Sequence, residues 1–107
     1  MPITLRVRNQ SDHAIGLYLR GRSPTFDIVV TRLNGQVVWR RLDKEMIPAI
    51  VLFLPIAPGK HLDLTTTWNQ RTGKGGRVSP GEYLARALLL TEGDPLESPP
   101  VRFHIER

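Results

Sequence analysis

Phe26-Asp27-Ile28-Val29-Val30-Thr31-Arg32-Leu33-Asn34-Gly35-Gln36-Val37-Val38-Trp39 reads as two β-strands joined by Asn34-Gly35. That dipeptide accepts the positive φ of a type I′ turn, whose twist matches the strands it joins. A two-residue turn pairs Val30 with Trp39, Arg32 with Val37 and Ile28 with Arg41. Side chains alternate along a strand, so Phe26, Ile28, Val30, Val37 and Trp39 then share one face. Val29, Val38 and Arg40 fall on the other. A turn that places Gly35 in a bulge moves the register by one. The two-residue turn is favoured here because it gathers the large apolar groups.

Segments on both sides carry the same period of two. Ile3, Leu5 and Val7 alternate with Thr4, Arg6 and Arg8; Ile15, Leu17 and Leu19 follow a turn at Asn9-Gln10-Ser11-Asp12. Leu62, Leu64, Thr66 and Trp68 alternate with Asp63, Thr65 and Thr67, and Val101, Phe103 and Ile105 close the chain. Residues 82–90 contain good helix formers, but Pro80-Gly81 launches them and strands surround them, so they read as a strand with Tyr83 near its start. A tyrosine there suits a tyrosine corner, its hydroxyl bonded to nearby backbone. Pro48 to Pro55 holds six consecutive apolar residues between two prolines. A buried strand is the favoured reading; an exposed apolar face serving a partner or a second copy is the alternative. Seven to eight short strands, with turn signals between them and no convincing helix, predict an all-β, antiparallel two-sheet β-sandwich. The chain has 107 residues, no repeat and no linker, so residues 1–107 are expected to form one sandwich domain.

Composition narrows the function. Hydrophobic residues are 40% of the chain, enough for one core, and there is no cysteine, hence neither a disulfide nor a thiolate metal site. No apolar run approaches the ~18 residues of a membrane helix, and a cationic leader followed by an apolar stretch is missing. A cytoplasmic location with no membrane partner is expected, either as a whole protein or as a domain of a longer one. The net charge of +5 resides in residues 1–41, where seven arginines face Asp12 and Asp27. Such a field attracts acidic partners or nucleic acid. Nucleic acid is the weaker choice: aromatics are 7% of the chain, and the core needs Phe26, Trp39, Phe103 and Trp68, which leaves chiefly Tyr18 as a stacking platform.

Catalytic chemistry is not expected. His13, His61 and His104 lack ligand spacing, so no metal or other cofactor is implied. No nucleophile elbow is present. Gly73-Lys74-Gly75-Gly76 lacks the full spacing and Lys-Ser/Thr ending of a phosphate loop.

The order of short motifs resembles the BsuPI-type intracellular proteinase inhibitors. The landmarks are Leu5-Arg6-Val7-Arg8-Asn9-Gln10-Ser11-Asp12, Phe26-Asp27-Ile28-Val29-Val30, Gly35-Gln36-Val37-Val38-Trp39-Arg40, Ala57-Pro58-Gly59-Lys60, Thr67-Trp68-Asn69 and Pro80-Gly81-Glu82-Tyr83. The resemblance implies an immunoglobulin-like sandwich. It also implies a non-enzymatic protein-binding module, with an intracellular, subtilisin-like serine protease as partner. Ile50 to Leu54 is wholly apolar where the family pattern is more polar.

Two loops are candidates for the contact. Asn69–Ser79, with Arg71, Lys74 and Arg77 among glycines, reads as cationic and mobile. Asp94-Pro95-Leu96-Glu97, within the proline-rich 92–100, is stiffer, and Leu96 suits an apolar specificity pocket. The competing expectation is an accessory sandwich domain without inhibitory activity that packs on a neighbour, or on itself, through Ile50–Leu54. As a free species the chain is expected to be a monomer or a weak homodimer.

Overall fold

The computed structural model describes residues 1–43 and 45–106. Nine strands follow in chain order: β1 (Pro2–Arg8), β2 (Ile15–Arg20), β3 (Phe26–Arg32), β4 (Val37–Arg40), β5 (Val51–Ile56), β6 (His61–Thr67), β7 (Gly81–Leu89), β8 (Leu96–Glu97) and β9 (Val101–Ile105). Every strand pairing is antiparallel. The all-β sandwich expected from the alternation is what forms. One sheet runs β4-β3-β7, and β8 and β9 occupy successive stretches of the far edge of β7.

The opposing layer is a ribbon. β1 pairs with β6 from Pro2↔Thr67 to Arg8↔His61, and β2 pairs with β5 from Ile15↔Ile56 to Arg20↔Val51. These are two halves of one antiparallel run, 2–20 against 51–67, interrupted at a joint. Asn9 is the joint. Its side chain is buried; Nδ2 donates to the carbonyls of His13 (2.8 Å) and Ile56 (2.7 Å), and Oδ1 accepts from the Ser11 amide and hydroxyl. Its backbone bonds across the ribbon, to Lys60 O and from Gly59 N. Asparagine suits the place because one amide offers two donors and an acceptor at once.

Between the layers lie Leu5 and Leu19 from the ribbon, Phe26, Ile28, Val30, Val38, Tyr83, Ala87, Leu89 and Ile105 from the sheet, and Trp68 and Val78 beside it. Trp68 stacks on Trp39 (centroids 5.6 Å apart) and meets Phe103 edge-on, while its Nε1 donates to Arg71 O at 2.9 Å. Tyr83 is buried and its hydroxyl donates to Ser79 O at 2.6 Å, the tyrosine corner that its position after Pro80-Gly81 suggests.

The central hairpin keeps the Val30↔Trp39 pair but not the two-residue turn. Thr31, not Arg32, faces Val37, and the register shifts between Val30 and Thr31. Gly35 takes φ +92° and its amide donates to Arg32 O, while the Arg32 amide donates to Gln36 O. The turn is therefore three residues long with Gly35 as the bulge, and one residue of β4 is extra. In consequence Val38 enters the core and Val37 is exposed, the reverse of the alternation expected for them. Asp27, on the outer face of β3, is also buried; it takes Nε and Nη2 of Arg40 on Oδ2 and the Leu42 amide on Oδ1. A buried carboxylate needs such partners, and Arg40 is thereby committed to structure.

Candidate functional site

The two sequence-derived loops sit at opposite ends of β7. Asn69–Ser79 leads into its start and the 91–95 turn leaves its end, with eight strand steps, about 26 Å, between. Arg71, Lys74 and Arg77 therefore do not share a surface with Asp94, Pro95, Leu96 and Glu97.

The glycine-rich loop has its own order. Arg71 and Arg77 form a bridge, Thr72 N donates to Gly76 O, Gly75 N to Thr72 O and Val78 N to Gln70 O. Gly73 N reaches Val38 O, which ties the loop to β4. It is a small closed hairpin where its composition suggested a mobile loop, because backbone bonds inside it replace those a free loop gives to water. Arg71 spends one amine on Gly75 O. Lys74, with Arg32, Arg40 and Asp43, lines a groove of about 460 Å³.

The second candidate is ordered as well. Thr91 Oγ1 donates to Asp94 O and accepts from Gly93 N, closing a turn at 91–94. Leu96 and Glu97 then lie on β7 opposite Leu89 and Leu88. Glu97 meets Arg86 at 2.7 Å, and Ser98 is fixed to Ala87 through both its amide and its hydroxyl. Leu96 is 44% exposed and lines a groove with Leu5, Val7 and Pro99. Asp94 and Pro95, both exposed, project at the turn.

A surface that the loop argument passed over lies beside this turn. β2 carries β5 on one edge and the 90–92 segment on the other: Arg20 N donates to Leu90 O, Glu92 N donates to Tyr18 O, and Leu19 bridges Thr91. Leu17, Leu19, Leu52 and Leu54 face inward. Tyr18, Val51 and Phe53 face out and are 52%, 50% and 52% exposed. The expectation of a buried β5 is thus corrected. β5 is covered on one face only: its inner leucines pack on the core, and its outer face, like that of any strand in a two-layer sandwich, meets solvent. Tyr18 and Phe53 pack ring to ring, 5.1 Å between centroids. The Phe53 ring covers Gly16 so closely that a Cβ there would stand 2.5 Å from Phe53 Cε1. Residues 46–59 contain no charged side chain, which marks the segment as apolar but does not tell an exposed face from a buried one.

Several exposed charges elsewhere form pairs. Arg6 grips both oxygens of Asp63, at 2.8 and 3.0 Å, and its hydrogen bonds hold that carboxyl below the usual range. Arg102, aided by His104, does the same to Glu82. These are surface ion pairs, and they carry little energy or chemistry. Among the described residues no group of three metal-ligating side chains occurs, and no helix is long and apolar enough to cross a membrane.

A model of the intracellular proteinase inhibitor family, BsuPI, matches residues 1–93. No curated protein matches the chain. Among solved structures, a crystal structure of FlgD from Xanthomonas campestris, a protein of flagellar hook capping, is 15% identical, covers 96% of this chain and 67% of that one, and superposes with a TM-score of 0.41.

Proposed function

The chain belongs to the BsuPI family of intracellular proteinase inhibitors, and from that premise we propose that it is a non-enzymatic module that binds and inhibits a cytoplasmic, subtilisin-like serine protease. The observation that supports a location for the contact is the order of the 91–97 segment: its turn is closed by Thr91, and its far end is laid on β7. An inhibitory segment held in its bound shape avoids the entropy of being fixed on binding. Asp94 and Pro95 project from that segment and Leu96 offers apolar surface at its base. The family match ends at residue 93, so Asp94 to Glu97 lie beyond it and this location is argued from the order of the segment alone.

The test is titration of the purified chain against a subtilisin-type protease, with Leu96→Asp and the triple variant Arg71/Lys74/Arg77→Ala alongside. Inhibition is expected in the parent, lost in Leu96→Asp at unchanged melting temperature, and retained in the triple variant. Loss in the triple variant alone moves the contact to the cationic hairpin. A parent that inhibits no serine protease removes the inhibitory reading and leaves a binding domain.

A further inference from the structure

Every sandwich has open edges, and most here are blunted. β4 is four residues long and is bonded by Gly73 of the 69–79 hairpin. β6 carries His61 and Asp63, β9 carries Arg102 and His104, and β1 carries Arg6 and Arg8. Natural edges use charge, cover and brevity in this way to prevent uncontrolled pairing. β5 uses none of these over Val51–Leu54, and only Pro48 and Pro55 bound it. Among the described residues no strand pairs with its second edge.

The register shows what that edge offers. Gly21 N donates to Ile50 O, so Ile50 points at the β2 side. Antiparallel pairs alternate, so Leu52, Leu54 and Ile56 point the same way, and Val51, Phe53 and Pro55 point outward. The amides of Val51 and Phe53 and the carbonyls of Val51, Phe53 and Pro55 face solvent. Pro55 has no amide, which ends the donor row. On the adjoining outer face Val51, Phe53 and Tyr18 supply half-exposed apolar surface.

Charge says what fits. Arg20 sits opposite Val51, and Arg22 follows Gly21 at the same end. Lys60 lines a groove with Leu54, Pro55 and Ile56 at the other end, where His61 faces Asp63 at 3.7 Å. The acid at the first end is Glu45, beside Arg22; Glu92 lies on the opposite edge of β2. An apolar centre with cations at both ends complements an extended segment that is apolar in the middle and acidic at its termini.

We propose that the outer edge of β5 is a strand-addition site for an extended segment of a partner protein, apolar and proline-free at its centre and flanked by Asp or Glu. Main-chain bonds to Val51 and Phe53 supply affinity, and Tyr18, Phe53 and the flanking cations supply selection. This site is separate from the 91–97 turn, and the proposal stands whether or not the chain inhibits a protease.

The probe is a library of random displayed dodecapeptides panned on the intact chain, followed by synthesis of the enriched peptides. Enrichment of alternating apolar residues between acidic ends is expected, with amide shift changes confined to 15–22 and 50–61. Binding weakens on raising the salt, since the flanking charges are exposed. Val51→Pro removes one outward donor and no bond to β2; Phe53→Lys places a charge on the edge while replacing a half-exposed ring. Both are expected to weaken binding by about tenfold or more, about 1.4 kcal/mol at tenfold, while the chain stays folded at the assay temperature. Failure to enrich any sequence, enrichment of basic ends, or binding by both variants equal to the parent overturns the proposal. Sedimentation equilibrium reads the rival occupant: a parent dimer that both variants dissociate assigns the edge to a second copy and overturns the acidic partner.

Discussion

β1–β6 and β2–β5 are halves of one ribbon, and each puts leucines inward, yet they dress their outer faces differently. The first wears Thr4 against Thr65 and Arg6 against Asp63, hydrogen-bonded pairs that suit water. The second wears Tyr18 against Phe53 and Gly16 against Pro55, with Arg20 opposite Val51. Folding needs only the inward leucines of each half, since burial of apolar area is what stabilises the sandwich. The outer face is therefore free to differ, and the apolar one on the second half is the kind of exposed patch that folding alone does not call for.

The widest test of that contrast sets two aromatics against each other. Trp68 continues the first half and is 1% exposed; Phe53 lies on the outer face of the second. Trp68→Ala is expected to cost about 3–5 kcal/mol in urea unfolding. It removes the stack on Trp39 and also the donor that Arg71 O receives. Phe53→Ala should cost about 1 kcal/mol or less, because half its surface is already wet. Equal losses would mean that the second half carries core weight, and the contrast would fail.

Asn9 tests whether the halves are one ribbon. Asn9→Ala deprives the Ile56 carbonyl of a side-chain donor and the Ser11 amide of its acceptor, and leaves His13 O with the Ser11 hydroxyl alone. A loss of about 2–4 kcal/mol is expected, on the scale of one or two buried groups left unsatisfied. Hydrogen exchange should show the 15–20 and 51–56 amides opening ahead of those in 2–8 and 61–67. Uniform loss of protection would show that the joint does not divide the ribbon. Tyr83→Phe calibrates these figures from the opposing sheet. It removes one hydroxyl bonded to Ser79 O, and a loss of about 1 kcal/mol is expected, read in the same urea titration.

Much of this architecture was legible in the chain. Alternation at Ile3/Leu5/Val7 and Leu17/Leu19 found the inward faces, although Ile15, expected among them, is exposed, and Pro80-Gly81 before Tyr83 found the corner. Asn34-Gly35 marked the turn but not its length, since both a two-residue turn and a three-residue turn with a Gly bulge accept that dipeptide. The choice falls to tertiary packing: the bulge is what admits Val38 beside Trp39. The run Ile50–Leu54 could not reveal its exposed face, because an unbroken apolar run has no period to separate inside from outside. The pairing with β2 decides that, by turning Leu52 and Leu54 onto the core and Val51 and Phe53 away from it. The order of 91–97 was half legible. Its prolines announced stiffness, but the pairing with β7 rests on Ser98 and Arg86, which carry no local signal.

The smallest expected effect is also the cleanest separation of the halves. Arg6 hydrogen-bonds Asp63 and so holds its folded pKa below the unfolded value of about 3.9. A carboxyl depressed on folding adds stability that is fully present above the unfolded pKa. That stability drains away as pH falls through the folded pKa, because protonation then costs the pair its charge. The parent should accordingly exceed Asp63→Asn in stability at pH 6. The gap should narrow below about pH 4 and close once the folded carboxyl is protonated. The pair is exposed, so the gap is small and salt shrinks it. Residues 15–20 and 51–56 contain no carboxylate. Amide resonances across the Arg6↔Asp63 pair should therefore titrate with a midpoint below that of a free aspartate, while those of Leu52 and Leu54 stay still over the same range. A matching titration at Leu52 and Leu54 would show the second half responding to the charges of the first, and the two outer faces could no longer be treated as independent.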